Sequence, residues 1–116
     1  FPCNYHQIIS NADFAISSGG LSIFEFSAYG VPSIGLPQYP HQLRTIKNLE
    51  REGISILGTE EMSLSNIKLH DALQRLISNN ELRKKMAIKS RESIDGKGLE
   101  RVKDILKIKF SGVFCE

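Results

Sequence analysis

The alternation of short apolar runs with helical patterns is the feature that most constrains this chain. Three runs predict β-strands, at Phe14–Ile16, Ser33–Leu36 and Ile54–Leu57. Between them the sequence predicts helices over Leu21–Tyr29 and Gln42–Glu52, ended by Gly30 and Gly53. Strands and helices that alternate in such short steps form βαβ units, so we expect a parallel sheet with helices on its faces.

Helical patterns also follow the third strand, near residues 63–78, 81–93 and 98–109. Three strands are fewer than the roughly five or six of a doubly wound sheet. We therefore predict an α/β fold, with a partial Rossmann-like parallel sheet and flanking helices. Residues 1–116 are expected to be one C-terminal domain that lacks the first strands of its sheet. The start at Phe1 without a basic-then-apolar leader also suggests a piece of a longer chain.

Composition excludes several classes of protein. The chain has 41% apolar and 24% charged residues, which is ordinary for a soluble domain. It contains no apolar run near the roughly 20 residues that span a bilayer, so we expect no transmembrane segment. Cys3 and Cys115 form neither a disulfide framework nor a metal-ligand spacing, which favours the cytoplasm. A net charge of +2 does not predict a nucleic-acid partner.

Charge is distributed unevenly along the chain. Residues 1–43 contain no Lys or Arg and only two acidic residues, Asp13 and Glu25. Residues 81–109 contain ten basic and five acidic residues, a local net charge of +5. The basic region lacks the interleaved aromatic residues of a nucleic-acid-binding surface.

The turn after the first strand is the strongest candidate site. Ser18-Gly19-Gly20 connects that strand directly to a helix, at the sheet edge where parallel α/β proteins bind ligands. Glycines let a ligand approach the backbone, and the first N–H groups of a helix favour a phosphate. Glu25, one turn later, offers a carboxylate to vicinal hydroxyls such as those of a ribose. This arrangement suits a nucleoside diphosphate.

Local structure offers a second interpretation of the same residues. Ser22-x-x-Glu25 has the spacing of a capping box, in which the two side chains bond each other's backbone N–H. Gly19-Gly20 is also compatible with a tight strand-to-helix turn that binds nothing. The residues alone leave both interpretations open.

Two further segments carry candidate residues. His41 and Gln42 follow the second strand at the same sheet edge, and they either bind a substrate or belong to a rigid proline-rich turn. Residues 95–102 form a loop leading into a helix, with Asp95 as a possible cap. Their basic surroundings either meet a phosphate or acidic partner or form a solvated helix face. His6 and His70 share no metal-ligand spacing, so we expect surface or packing roles.

Residues 12–53 resemble the nucleotide-binding half of GT-B-fold proteins that act on UDP-sugars. The likeness is nearest to the family of the pseudaminic-acid-pathway UDP-sugar hydrolase and the spore-coat polysaccharide protein. It rests on Ala12-Asp13, Gly19-Gly20, Ser22, Phe24-Glu25, Tyr29–Ser33 and His41-Gln42. Asp95-Gly96-x-Gly98-x-x-Arg101-Val102 matches a second signature of that family. Pro40 and His41 depart from the family's acidic residue and Asn, and these positions bear on the sugar bound.

The resemblance implies a UDP or UDP-sugar site without a metal or other cofactor. It implies that Gly19, Gly20 and the Ser22 turn meet the diphosphate, Glu25 the ribose, and Gln42 the sugar or phosphate. Ser18 and His41, which lie beside these residues in the sequence, complete the set of candidate substrate-binding residues. The resemblance implies hydrolysis or glycosyl transfer, in surface-polysaccharide or nonulosonate synthesis. The family's catalytic residues lie in an N-terminal domain outside this chain, so the residues here do not decide between the two reactions, and the chain alone is not expected to turn over substrate. The alternative is a non-catalytic subunit that needs a partner domain, as in the split GlcNAc transferase of dolichol-linked glycan synthesis.

Overall fold

The computed structural model describes residues 4–60 and 66–110. Over these residues the elements follow in the order α1 (Tyr5–Ser10), β1 (Ala15–Ser17), α2 (Leu21–Ala28), β2 (Ser33–Gly35), α3 (Pro40–Arg51), β3 (Ser55–Leu57), α4 (Asn66–Ser78), α5 (Asn80–Ser93) and α6 (Gly98–Lys109). The predicted strands and the five predicted helices are confirmed to within a few residues. Helix α1 was not predicted, and residues 63–65, Cys3 and Cys115 lie outside the described residues.

The three strands form a parallel sheet in the order β1-β2-β3. Ile34 of β2 pairs with Ile16 of β1 on one side and with Ile56 of β3 on the other. All residues of β2 and β3 are buried, whereas β1 is only partly buried and Ile16 is 46% exposed. The sheet is therefore well covered at β3 and less covered at β1. This is the predicted α/β class.

Helices cover both faces of the sheet. Successive residues of a strand point to opposite faces, so Ile56 and Leu57 of β3 belong to different apolar clusters. One apolar cluster joins α2 and α3 to the sheet and contains Ile23, Ile46, Leu49, Ile54 and Leu57. The other joins α4 and α5 to the sheet and contains Ile34, Ile56, Ala72, Leu76 and Met86. Burial of large aliphatic side chains on both faces is the main stabilising contribution to the fold.

Helix α2 ends where the sequence predicted. Gly30 adopts a φ of +71°, the left-handed conformation that ends helices and favours glycine. The Arg91 side chain of α5 reaches this end and donates from Nη2 to the Tyr29 carbonyl, over 3.3 Å. Helix α5 therefore contacts the C-terminus of α2, whereas the N-terminus of α2 lies at the candidate site.

Candidate functional site

The site is centred on the turn between β1 and α2. Gly20 is the N-cap of α2 in an extended conformation, and no side chain caps the helix. The N–H groups of the first helical turn therefore receive no acceptor from a capping side chain, although each needs a partner. Gly20 is partly exposed, so an anion can approach these groups. The positive end of the helix dipole favours such an anion.

Gly19 is required by packing. It is buried, and a Cβ placed on it would lie 2.7 Å from the Gln42 Cβ and 2.9 Å from the Gln42 carbonyl oxygen. The first turn of α3 therefore approaches the turn after β1 as closely as glycine allows. A Cβ on Gly20, in contrast, would lie 3.9 Å from Ser18 Oγ and 4.0 Å from Gln42 Nε2. Of the two glycines, Gly20 is therefore the one with space beside its Cα for a ligand atom.

Gln42 connects the two loops of the site. Its side chain is 8% exposed, and its Oε1 accepts a hydrogen bond from the Gln38 backbone N–H at 2.8 Å. Because an N–H only donates, this bond fixes which end of the amide faces the loop after β2. The amide nitrogen consequently lies on the side of Gly20. Gln42 is thus oriented as a hydrogen-bond donor beside the N-terminus of α2.

Glu25 is held by a residue of α1. The Tyr5 hydroxyl donates to Glu25 Oε2 at 3.1 Å and also hydrogen-bonds the Ser22 side chain. Loss of solvent around the hydroxyl and then the neighbouring carboxylate raise the pKa of Tyr5. Glu25 is exposed, so its carboxylate retains acceptor capacity for further hydroxyl groups.

The capping-box interpretation of Ser22 and Glu25 is wrong. The helix begins at Leu21 with Gly20 as its cap, so Ser22 lies inside the helix and makes no side-chain capping bond. The Glu25 carboxylate bonds Tyr5, twenty residues away in sequence. Helix α1, which the sequence analysis missed, supplies this contact. No periodic apolar pattern marks α1, and its only buried residue is Ile9.

Aromatic rings lie beside the site on two helices. Tyr39 and His41 stack at the start of α3 with their ring planes 6° apart, and both are exposed. On α1, the exposed His6 ring lies with Nδ1 2.6 Å from the Tyr29 hydroxyl. His70 is exposed on α4. His41 therefore presents its ring to solvent rather than filling a buried turn.

The structure thus brings most of the predicted residues to one edge of the sheet. Ser18, Gly19 and Gly20 meet Gln42 there, and Ser22 and Glu25 follow on the first turns of α2. Their contacts with a ligand remain predictions. In the part of the chain that is described, no three His, Cys, Asp or Glu residues are grouped to hold a metal ion.

The second signature, at residues 95–102, has a structural role in the described structure. Asp95 Oδ1 accepts from the Lys97 backbone N–H at 3.0 Å and from Arg101 Nη1 at 3.1 Å. The Arg101 hydrogen bond and, to a smaller extent, the one from the Lys97 N–H lower the pKa of Asp95 to about 2. Gly96 turns the loop with a φ of +76°. The Asp95–Arg101 ion pair fixes the start of α6. All residues of that helix are exposed, in agreement with the prediction of a solvated helix face.

Comparison with known families identifies the family of the chain. The sequence profile of the glycosyltransferase family 28 C-terminal domain matches residues 1–107. The chain belongs to this family. The family assignment and the parallel sheet together identify it as a GT-B C-terminal half with a partial Rossmann-like fold.

Individual relatives agree with the family. The chain is 34% identical over 101 residues to the spore coat polysaccharide biosynthesis protein SpsG of Bacillus subtilis (strain 168), covering 86% of this chain and 30% of that protein. It is 35% identical over 77 residues to 2-hydroxyacylsphingosine 1-beta-galactosyltransferase of Rattus norvegicus, covering 66% of this chain and 14% of that protein. The chain thus spans less than a third of these relatives. No solved structure matches it.

A transmembrane helix is not found in the described part of this family 28 domain. None of the helices within residues 4–60 and 66–110 is both long and apolar enough to cross a bilayer.

Proposed function

We propose that this chain is the UDP-sugar-binding part of a glycosyltransferase that builds surface polysaccharide. In the reaction, an acceptor hydroxyl attacks the anomeric carbon and gives its proton to a base of the N-terminal domain, while the bond from that carbon to the diphosphate oxygen breaks. The electron pair of this bond passes to UDP, so negative charge grows on the diphosphate. The domain's task is to bind the nucleotide and stabilise that charge.

The observation that carries the proposal is the uncapped N-terminus of α2. Residues 1–43 contain no Lys or Arg, so in this segment the backbone is the source of positive potential for an anion. Gly20 leaves the first-turn N–H groups open, and the Gln42 amide donor lies beside them. Donors fixed by the fold need no reorganisation as charge develops, which is the property that lowers the barrier. We propose that this arrangement works without a metal.

Each predicted residue takes a role in this proposal. Gly20, with Ser18 and Ser22 on either side, meets the diphosphate, and Glu25 accepts from the ribose hydroxyls. Gln42 donates to the sugar or the phosphate, while His41 lies further out, toward the sugar. Gly19 acts indirectly, because its packing on α3 brings Gln42 to the turn.

The proposal extends to the rest of the protein. The relatives are named for polysaccharide biosynthesis and for galactosyl transfer, which favours transfer over hydrolysis. They are also much longer than this chain, which supports a second, N-terminal domain that supplies the acceptor site. The exposed Ile16 on β1 is consistent with further strands that cover this edge. We expect the whole enzyme in the cytoplasm.

Thermal unfolding of the 116-residue chain with UDP tests the proposal. A ligand that binds the folded state raises its stability, by about 2.7 kcal/mol at a ligand concentration 100 times the Kd. We expect UDP to raise Tm, and GDP and single-stranded DNA to leave it unchanged. Glu25→Ala should abolish the UDP shift and lower Tm only slightly in the absence of ligand, because Glu25 is exposed, caps no helix and loses an exposed hydrogen bond to Tyr5.

A matched control is Glu92→Ala, which removes an exposed helical carboxylate far along the chain on α5. This variant should keep the full UDP shift. The proposal is wrong if UDP has no effect on the unaltered chain, or if Glu25→Ala and Glu92→Ala respond to UDP alike.

A further inference from the structure

A second cavity lies away from the candidate site, along the outer edge of β3. It is a groove of about 590 Å³ between the end of α3 and helices α4 and α5. None of the seven predicted site residues lines it. Strand β1, which carries the glycine turn, lies at the opposite edge of the sheet. This groove, called the β3 groove below, is therefore separate from the proposed nucleotide site.

The β3 groove has an apolar floor. The side chains that form it are buried or half-buried and belong to β3, α4 and α5: Ile56, Leu57, Ala72, Leu82 and Met86. Four of these belong to the two apolar clusters of the core. Most of these side chains are already buried, so the gain from a ligand seated on them would come from burial of the ligand's own apolar surface, at about 25 cal/mol per Å².

The rim of the β3 groove carries an excess of positive charge. Four basic residues line it, Lys68, Arg75, Lys85 and Lys89, against two acidic residues, Glu50 and Asp71. Lys68 pairs with Glu60 at 3.4 Å. Among the described residues, no carboxylate lies within ion-pair distance of Arg75, Lys85 or Lys89. Glu50 and Asp71 offset part of this charge, but the lining keeps more cations than carboxylates, so an anion bound there would be stabilised.

One backbone donor at the edge of β3 is already occupied. The Leu57 backbone N–H, a donor that another strand would need, already donates to Glu50 Oε2 at 2.6 Å. A protein partner usually buries about 800 Å² on each side, whereas cavities of roughly 300–1,000 Å³ suit small molecules. The volume of the β3 groove falls in this small-molecule range. Both observations favour a small ligand over a peptide strand.

We propose that the β3 groove binds a small single-chain amphiphile with a phosphate head group. The chain lies on the apolar floor, and the head group meets Arg75, Lys85 and Lys89 at the rim. A phosphate monoester carries a charge of about −1.5 to −2 near pH 7 and three acceptor oxygens, which suit several cations at once. This proposal uses no residue of the nucleotide site and does not depend on the function proposed above.

Titration with monomeric dodecyl phosphate, followed by NMR of the backbone amides, tests the β3 groove. We expect saturable binding with shifts at Ile56, Ala72 and Met86. The variant Lys85→Glu/Lys89→Glu should weaken binding ~10-fold or more, because two charge-assisted contacts are replaced by repulsion. The matched control Lys103→Glu/Lys109→Glu makes the same change in charge on α6, outside the groove, and should bind as the unaltered chain does.

Three other probes separate this ligand from simpler ones. Inorganic phosphate, dodecyl maltoside and vesicles of anionic phospholipid should each bind at least ~10-fold more weakly than dodecyl phosphate. Equal binding of phosphate would mean a plain anion site, and equal binding of the maltoside would mean nonspecific apolar contact. Stronger response to vesicles would indicate a membrane surface instead. Each of these results, or an absence of dodecyl phosphate binding, would overturn the proposal.

Discussion

Two regions of the molecule are stabilised in different ways: the corner where the N-termini of α2 and α3 meet, and the C-terminal helix α6. No Lys or Arg occurs in residues 1–43, which supply most of the corner. Fully buried side chains such as Ile23 and Ile46 pack its two helices against the sheet. Helix α6 has no buried residue, and Leu99 and Ile108 on it are 75% and 80% exposed. Packing therefore fixes the corner, whereas a local ion pair fixes the start of α6. A site that must hold a ligand to within tenths of an ångström needs the first kind of support.

Truncation of one isoleucine in each region should give the largest contrast. Ile46 on α3 is fully buried against the sheet, whereas Ile105 on α6 is 54% exposed. Removal of a buried isoleucine side chain loses transfer free energy and leaves a cavity, so Ile46→Ala should lower the free energy of unfolding by about 2–5 kcal/mol. Ile105→Ala should change it by no more than about 0.5 kcal/mol. Urea unfolding of both variants measures the difference.

Equal losses in the two variants would contradict this contrast, because they would show that α6 is as firmly packed as α3. The urea m-value is the internal check. It should stay constant in both variants, since the area exposed on unfolding is nearly the same.

A pair of glycine substitutions sharpens the comparison at the site itself. A Cβ at Gly19 would meet Gln42 at 2.7 Å, and one at Gly98 would meet nothing within 4 Å. Gly19→Ala should therefore cost about 1–3 kcal/mol of stability through overpacking. Gly98→Ala, in the first turn of α6, should be neutral or stabilise by up to about 1 kcal/mol, because alanine restricts the unfolded chain. Thermal and urea unfolding of both variants measure these changes.

The same pair separates packing from ligand contact. Since Gly19 positions Gln42 beside the helix N-terminus, Gly19→Ala should also weaken UDP binding, and Gly98→Ala should leave it unchanged. A Gly19→Ala chain as stable as the unaltered one would show that the turn has room to relax. The close approach of α3 would then not be what fixes the site.

Sequence patterns predicted the sheet because the determinants are local. Each strand is a short apolar run, and Gly30 and Gly53 end the two crossover helices with positive φ. The predicted site edge followed from topology alone, since residues after parallel strands share one edge. The start of α3 was predicted less accurately than its end. The helix starts at Pro40 rather than Gln42, because a proline is well tolerated in the first turn of a helix.

The contacts made by Glu25 could not be predicted, because they come from tertiary structure. The Ser22-x-x-Glu25 spacing is compatible with a capping box as well as with a ligand contact, but Gly20 occupies the cap position. Tyr5 binds Glu25 from a six-residue helix that has no apolar periodicity of its own. Short helices are marginal in isolation and depend on such contacts. The rings of Tyr5, His6 and Tyr29 lie together beside this contact, but the fold brings them together and no sequence pattern marks them.

The smallest expected effect concerns the ion pair at the start of α6. Arg101 and then the Lys97 N–H hold the pKa of Asp95 at about 2, below its ordinary value of 3.8. Because the folded-state pKa is lowered, the contribution of Asp95 to stability is fully present above about pH 4 and is lost as the pH falls through about 2. Carbon NMR of the Asp95 carboxyl group should show this titration, and in Arg101→Gln the pKa should move back toward 3.8.

Lys103→Gln is the matched control for that shift, because it removes a nearby cation that makes no bond to Asp95, and it should leave the titration in place. Since Asp95 and Arg101 are exposed, the pair should add little to global stability, and its main effect should be local. Amide exchange at the start of α6 should therefore become faster in Arg101→Gln while exchange in β2 stays the same. Unchanged exchange at the start of α6 in Arg101→Gln, together with an Asp95 that titrates near 3.8 in the unaltered chain, would mean that the charged clamp does not form. The direction of α6 would then have to come from another part of the protein, and the contrast with the packed corner would be sharper still.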